Sequence, residues 1–123
     1  MEVNATIGIV NDSANGRAAL KKYLTVYKYR VIVEAKNGKD LIDKMTSALE
    51  IPTICFVDAS MPVMDGCETV TKLKESFPLI KIVAFSIDEI LGHKMVKLGA
   101  AVYLPKHSKE EAIIECIEKL LKI

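Results

Sequence analysis

Four residues able to do chemistry follow runs of apolar β-formers: Asp12 (with Asn11 before it), Asp58, Ser86 and Lys106. Asp58 ends the run Thr53-Ile54-Cys55-Phe56-Val57 and precedes Ala59-Ser60-Met61-Pro62-Val63-Met64-Asp65-Gly66. A carboxylate at the end of a buried strand, then a proline-containing loop, then a glycine opening a helical pattern, describes an exposed nucleophile on a rigid stem. If the strands carrying Asp12 and Asp58 are neighbours, their carboxylates face each other and repel unless something positive separates them. A hard divalent cation does this, and magnesium takes oxygen ligands in octahedral array, one or two carboxylates plus waters and substrate phosphate. Lys106 supplies a second positive charge for anionic oxygens.

The elements that position these residues are legible. Short apolar runs, predicted as strands over Ala5–Val10, Val31–Ala35, Thr53–Val57, Ile80–Phe85 and Ala101–Leu104, alternate with amphipathic segments. Their near-continuous apolarity fits strands covered on both faces of a parallel sheet. Helical stripes are predicted from Leu41, Ile42, Met45 and Leu49; from Val70, Leu73 and Phe77, stopped by Pro78; from Ile87, Ile90, Leu91, Met95 and Leu98, closed by Gly99; and from Ala112, Ile113, Cys116, Ile117, Leu120 and Leu121. A first helix over about Ala14–Tyr27 is weakened at its start by Asn15 and Gly16. Strict β-α alternation implies right-handed crossovers and helices on both sheet faces. The expected fold is a flavodoxin-like three-layer α/β sandwich with a five-stranded parallel sheet and five helices. The order 2-1-3-4-5 is taken by analogy with other doubly wound sheets of five β-α units. Sites in such sheets form at the carboxyl ends of the strands, beside the switch point between strands 1 and 3.

Composition narrows the function classes. The chain has 123 residues, the size of one domain, so 1–123 is read as a single unit. A formal net charge of +1 argues against nucleic acid as the partner of this segment, and no apolar run is long enough to span a membrane. Cys55, Cys67 and Cys116 are odd in number and lack C-x-x-C spacing, which suits a reducing cytoplasm.

The segment from Asp58 to Gly66 resembles the phosphoacceptor segment of two-component response-regulator receiver domains, D-x-x-M-P-x-M-D-G. The resemblance extends over essentially the whole chain. It implies that Asp58 accepts a phosphoryl group from a sensor histidine kinase. Mg2+ would be held by Asp12, Asp58 and the Ser60 backbone carbonyl, with Asn11 in the outer shell. Lys106 would contact the phosphoryl group, and Ser86 and Tyr103 would act as the switch pair. Ser60 and Asp88 would tune dephosphorylation. The switched surface is that of helix 4, strand 5 and helix 5. Such a domain is not an enzyme in the ordinary sense, catalysing only its own phosphorylation and dephosphorylation. The stretches Glu34-Ala35-Lys36-Asn37-Gly38 and Lys106-His107-Ser108-Lys109-Glu110-Glu111 are most like receivers of the NarL/FixJ sub-family, joined to a LuxR-type helix-turn-helix. That implies a longer transcription regulator with DNA bound by a C-terminal domain outside this segment, and leaves homodimerisation open.

Two positions depart from the family's pattern. Asn11 stands where a second acid is usual, which removes a charge and should weaken magnesium binding. Pro105 precedes Lys106 where many receivers have the proline after it, so a trans Lys106–His107 bond is expected. Asn11 also leaves a pseudo-receiver open, a constitutive interaction module with an inactive site. An aspartyl-phosphate hydrolase would want an acid at Ser60. A flavin site would want a hydroxyl-rich first loop rather than the single Gly16. Read without the resemblance, Asp12 is a turn or cap residue, Tyr103 a half-buried strand aromatic, and Asp65-Gly66 a turn with an acidic first helical turn. His93 and His107 lack metal-ligand spacing and are expected to be exposed.

Overall fold

Apolar runs and amphipathic stripes fold as alternating strands and helices in the computed structural model, which describes residues 5–122. The elements are β1 (Thr6–Val10), α1 (Ala14–Val26), β2 (Arg30–Ala35), α2 (Gly38–Thr46), β3 (Ile54–Asp58), α3 (Gly66–Ser76), β4 (Lys81–Ser86), α4 (Glu89–Leu98), β5 (Val102–Pro105) and α5 (Glu110–Leu121). The strands form one parallel sheet in the order β2-β1-β3-β4-β5, as expected of a flavodoxin-like fold.

Side-chain alternation along the strands divides the core into two layers. Ile54 and Phe56 of β3 and Val83 and Phe85 of β4 point to one face, with Leu20 and Leu24 of α1 and Ile113 and Ile117 of α5. Cys55 and Val57 of β3 and Ile82 and Ala84 of β4 point to the other, with Leu41 and Met45 of α2, Val70 and Leu73 of α3 and Met95 of α4. Phe56 meets Phe85 edge-on, ring centroids 5.7 Å apart. Phe56 is fully buried, so its truncation to alanine would cost about 3–5 kcal/mol. Four helices carry side-chain N-caps: Ser13, Asn37, Asp65 and Asp88 each accept from the backbone N–H three residues on. Each such cap is worth about 1 kcal/mol. Gly99 ends α4 with φ +132°, as its place after the stripe suggested.

The structure corrects several details. Four of the five strands, all but β2, begin one residue later than the apolar runs suggested, and β3, β4 and β5 also end one residue later, so Asp58 and Ser86 are the last residues of β3 and β4 rather than the first of their loops. Strand β2 is only half-buried over most of its length because it lies at the sheet edge. Leu49 is not part of the α2 stripe. The helix ends at Thr46 with Ser47 as its C-cap, the Ala48 N–H turns back to the Met45 carbonyl, and Leu49 stands fully exposed. Ile87 precedes α4 and Ile90 lies on its outer face, each 80% exposed, because α4 buries Gly92 and Met95 instead. Among the described residues, no helix is long and apolar enough to cross a membrane.

Candidate phosphoacceptor site

Strand register brings the residues of interest to one edge. Val10 pairs with Val57, so Asn11 is level with Asp58 and Asp12 lies one residue beyond. Asp58 pairs with Phe85, and Ser86 with Pro105, which sets Ser86 and Lys106 along the same edge. The Lys106 N–H donates to the Ser86 carbonyl at 3.0 Å, extending the ladder by one bond. Its side chain turns inward and places Nζ 3.0 Å from Asp58 Oδ1.

Asp58 is buried, not the exposed nucleophile the sequence suggested, because it is the last residue of a central strand; Asp12, Ser60 and Asp88 are exposed at the rim. Burial pushes the Asp58 carboxyl above its usual pKa; the bond and charge of Lys106 pull it back, and the negative charge of Asp12 raises it further. Two carboxylates against one lysine leave an excess negative charge at a water-accessible edge. That donor set fits a hard cation with oxygen ligands and retained waters, and Asp12 and Asp58 are the side chains that would hold it. No cluster of three or more His, Cys, Asp or Glu suited to a dedicated metal cage is found among the described residues.

The other expected residues fall as follows. Asn11 is buried, and its Oδ1 accepts from the Ser13 N–H at 2.9 Å. The Ser86 hydroxyl donates to the Asp88 carbonyl and accepts from the Asp88 N–H, both at 2.9 Å. Tyr103 is half-buried. Its hydroxyl lies 3.5 Å from the Ser86 carbonyl, and its ring packs on Gly92 and meets His93 with centroids 5.1 Å apart. His107 is exposed, as expected, and borders a cleft of about 310 Å³ with Asn11, Tyr23, Phe85 and Lys106. The Lys106–His107 bond is trans, since no peptide bond among the described residues is cis.

Three features of this edge escaped the sequence reading. A Cβ on Gly66 would lie 2.5 Å from the Asp58 carbonyl oxygen, so α3 can start against the acceptor strand only with glycine there. Val63, in the loop after Asp58, has φ +69°, a region that disfavours β-branched residues. Arg17 donates to the Asn11 carbonyl at 2.6 Å. Only the first had a signal, the glycine itself; the others depend on loop conformation.

This sheet order, with two carboxylates and a lysine at the carboxyl edge, is that of a signalling receiver. The chain matches the response regulator receiver domain over residues 7–118 and belongs to that family, whose members are signalling modules of two-component systems. Among curated relatives, the chemotaxis protein CheY of Thermotoga maritima is 28% identical over 116 residues, 93% of this chain and 95% of that protein. The transcriptional regulatory protein YdfI of Bacillus subtilis is 31% identical over 117 residues, 93% of this chain but 54% of that protein. A protein-glutamate methylesterase/protein-glutamine glutaminase of Methanosarcina mazei is 35% identical over 118 residues, 92% of this chain and 32% of that protein. The chain thus spans nearly all of one of these relatives and about a half and a third of the other two. Among solved structures, the CheX-CheY-BeF3-Mg complex of Borrelia burgdorferi aligns with a TM-score of 0.89 at 20% identity, covering 97% of this chain and 90% of that one. A LuxR-family response regulator from Aurantimonas aligns at 0.87 and 21%, covering 97% and 86%. At these identities the structural likeness speaks for the fold.

Proposed function

We propose that this chain is a phosphorylatable receiver in which Asp58 accepts a phosphoryl group from the phosphohistidine of a sensor kinase. The observation that carries this reading is the 3.0 Å contact of Lys106 with the buried Asp58 carboxylate, beside Asp12. An Asp58 carboxylate oxygen attacks phosphorus as the P–N bond breaks, and the leaving imidazole nitrogen keeps the bonding pair and takes a proton from solvent. Lys106 follows the negative charge from the carboxylate onto a phosphoryl oxygen. Magnesium, held by Asp12, Asp58 and the Ser60 carbonyl, with Asn11 in the outer shell, would neutralise phosphoryl oxygens. Hydrolysis reverses the charge flow: water attacks phosphorus and the P–O bond to Asp58 breaks.

Switching follows from hydrogen-bond exchange. To reach a phosphoryl oxygen the Ser86 hydroxyl gives up its bonds to Asp88, and the Tyr103 ring, which lies over Gly92 of α4, rotates into the space Ser86 vacates, changing the surface of α4, β5 and α5. Ser60 and Asp88, both exposed, would tune dephosphorylation. Output through transcription is supported by the likeness to YdfI over its receiver portion. The NarL/FixJ character and a DNA-binding domain outside this segment belong to the same proposal, as do a cytoplasmic location and homodimerisation, through the α4–α5 face or through α1 and α5.

A second reading, a pseudo-receiver, is favoured by Asn11, whose side-chain oxygen is already engaged by Ser13. Intact mass after incubation with magnesium and acetyl phosphate separates the two. Addition of one phosphoryl group to the parent and none to Asp58→Asn supports the receiver. No addition to folded parent supports the pseudo-receiver, and labelling of Asp58→Asn would remove Asp58 from its role.

A further inference from the structure

Asn11 is buried at the site's edge, and three hydrogen bonds hold its polar groups in place. Its N–H donates to the Ala35 carbonyl at 3.1 Å, its Oδ1 accepts from the Ser13 N–H at 2.9 Å, and its own carbonyl accepts from Arg17 Nη1 at 2.6 Å. Its side-chain amide also occupies the space beside Gly16, where a Cβ would lie 2.9 Å from Nδ2. The next residue, Asp12, is exposed and has no such fixing of its own side chain by the helix that follows, whose cap is Ser13.

We propose that Arg17 is a positioning residue for magnesium binding: by holding the Asn11 carbonyl it fixes the peptide plane that presents Asp12 to the site. This rests on the reading of Asp12 as a magnesium ligand. The physical basis is the planarity of the peptide unit, in which the Asn11 carbonyl, the Asp12 N–H and the Asp12 Cα move together. A charge-assisted bond to that carbonyl therefore limits the directions open to the Asp12 side chain. Asn11 then serves the site through the loop, with Ala35 and Ser13 holding its other polar groups, rather than through a charge of its own. Arg17 sits beside Glu34, Lys36, Asp40 and Lys44, so its charge belongs to a mixed surface and not to a basic patch.

Positioning and plain electrostatics predict opposite signs. A cation near a dication site repels the metal, so removing Arg17 would tighten binding if charge were its only effect. If it positions Asp12, removal weakens binding. The probe is magnesium chloride, titrated into phosphate-free parent and Arg17→Met and followed by backbone amide shifts. Methionine keeps a long helix-compatible side chain without the donor. The expected result is a loss of roughly tenfold in magnesium affinity, as for other groups that orient metal ligands, in a variant that remains folded at the titration temperature. In metal-free protein, faster amide exchange at Asn11 and Ser13 is expected as well, a readout that does not depend on metal. Equal or tighter binding by Arg17→Met, or unchanged exchange, overturns the positioning role. If the parent itself binds no magnesium, the site reading fails and this inference with it; binding by both proteins alike overturns this inference alone.

Discussion

Ser86 and Asp88 are joined twice: the Ser86 hydroxyl donates to the Asp88 carbonyl, and the Asp88 N–H donates to Ser86 Oγ, each at 2.9 Å. Asp88 in turn caps α4 by accepting from the Leu91 N–H at 3.1 Å. The end of β4 and the start of α4 are therefore one hydrogen-bonded unit built on a buried hydroxyl. Ser86→Ala should lower stability by about 1–2 kcal/mol, because it strands the Asp88 N–H and removes a donor. Ser86→Thr, which keeps the hydroxyl, should lose less. Urea unfolding of the two variants checks this; equal losses would show that the hydroxyl is not what matters.

Val63 is 75% exposed and has φ +69°. A left-handed conformation costs an L-residue roughly 1–2 kcal/mol, and asparagine tolerates it better than valine. Val63→Asn should therefore raise stability by about 1 kcal/mol, with little burial lost. Its thermal midpoint should lie above the parent's. A lower midpoint would mean that the valine makes contacts which outweigh its strain.

The Tyr103 ring occupies the space over Gly92, where a Cβ would lie 2.3 Å from Cδ1. Gly92→Ala should drive the ring off α4 and abolish its proton contacts to His93 in nuclear Overhauser spectra. Stability should change little. Helix propensity gains about 1 kcal/mol from the alanine, offsetting lost ring packing. Persistence of the Tyr103–His93 contacts would refute the seating of the ring on Gly92.

Partial burial would raise the Asp40 carboxyl, but the Lys36 N–H at 3.2 Å and the Lys44 ammonium at 3.2 Å outweigh it and hold its pKa below the usual value. For a lowered carboxyl the stabilisation is complete above the ordinary aspartate pKa and disappears as pH falls through the lowered value. Asp40→Asn should thus be less stable than the parent at neutral pH and should converge with it in strong acid. Denaturation midpoints compared across acid pH decide the matter; a gap that widens toward acid would reverse the sign.

Magnesium should raise the melting temperature of the parent and leave Asp58→Asn almost unmoved. At ten times its dissociation constant a ligand of the native state adds about 1.4 kcal/mol. Chelation should return the parent to its metal-free midpoint. Equal stabilisation of both proteins would place the metal away from Asp58.

The fold and the chemistry-bearing residues were legible in the sequence because both are written in local patterns. Apolar β-forming runs mark covered strands, helical spacing marks the crossovers, and in an open parallel sheet the residue that follows a strand lies at the functional edge. Asp12, Asp58, Ser86 and Lys106 were located on that ground together with the resemblance of Asp58–Gly66 to a phosphoacceptor segment. Leu49, Ile87 and Ile90 were misplaced because spacing records apolarity without saying where a helix stops or whether another element covers it. Gly16 read as a weak start to a helix, whereas its missing side chain makes room for the Asn11 amide.

By itself, then, the amino-acid order determined which elements form, in which alternation, and which side chains stand at strand ends, since these depend on neighbours a few residues apart. Only the tertiary structure decided what those side chains do to one another. Lys106 reaches Asp58 across a separation of 48 positions. Tyr103 lies on Gly92, and Arg17 holds the Asn11 carbonyl from the second turn of α1. Those contacts depend on strand register, helix placement and loop dihedrals, which arise when the two apolar layers close on the sheet and leave no periodicity in the chain to read.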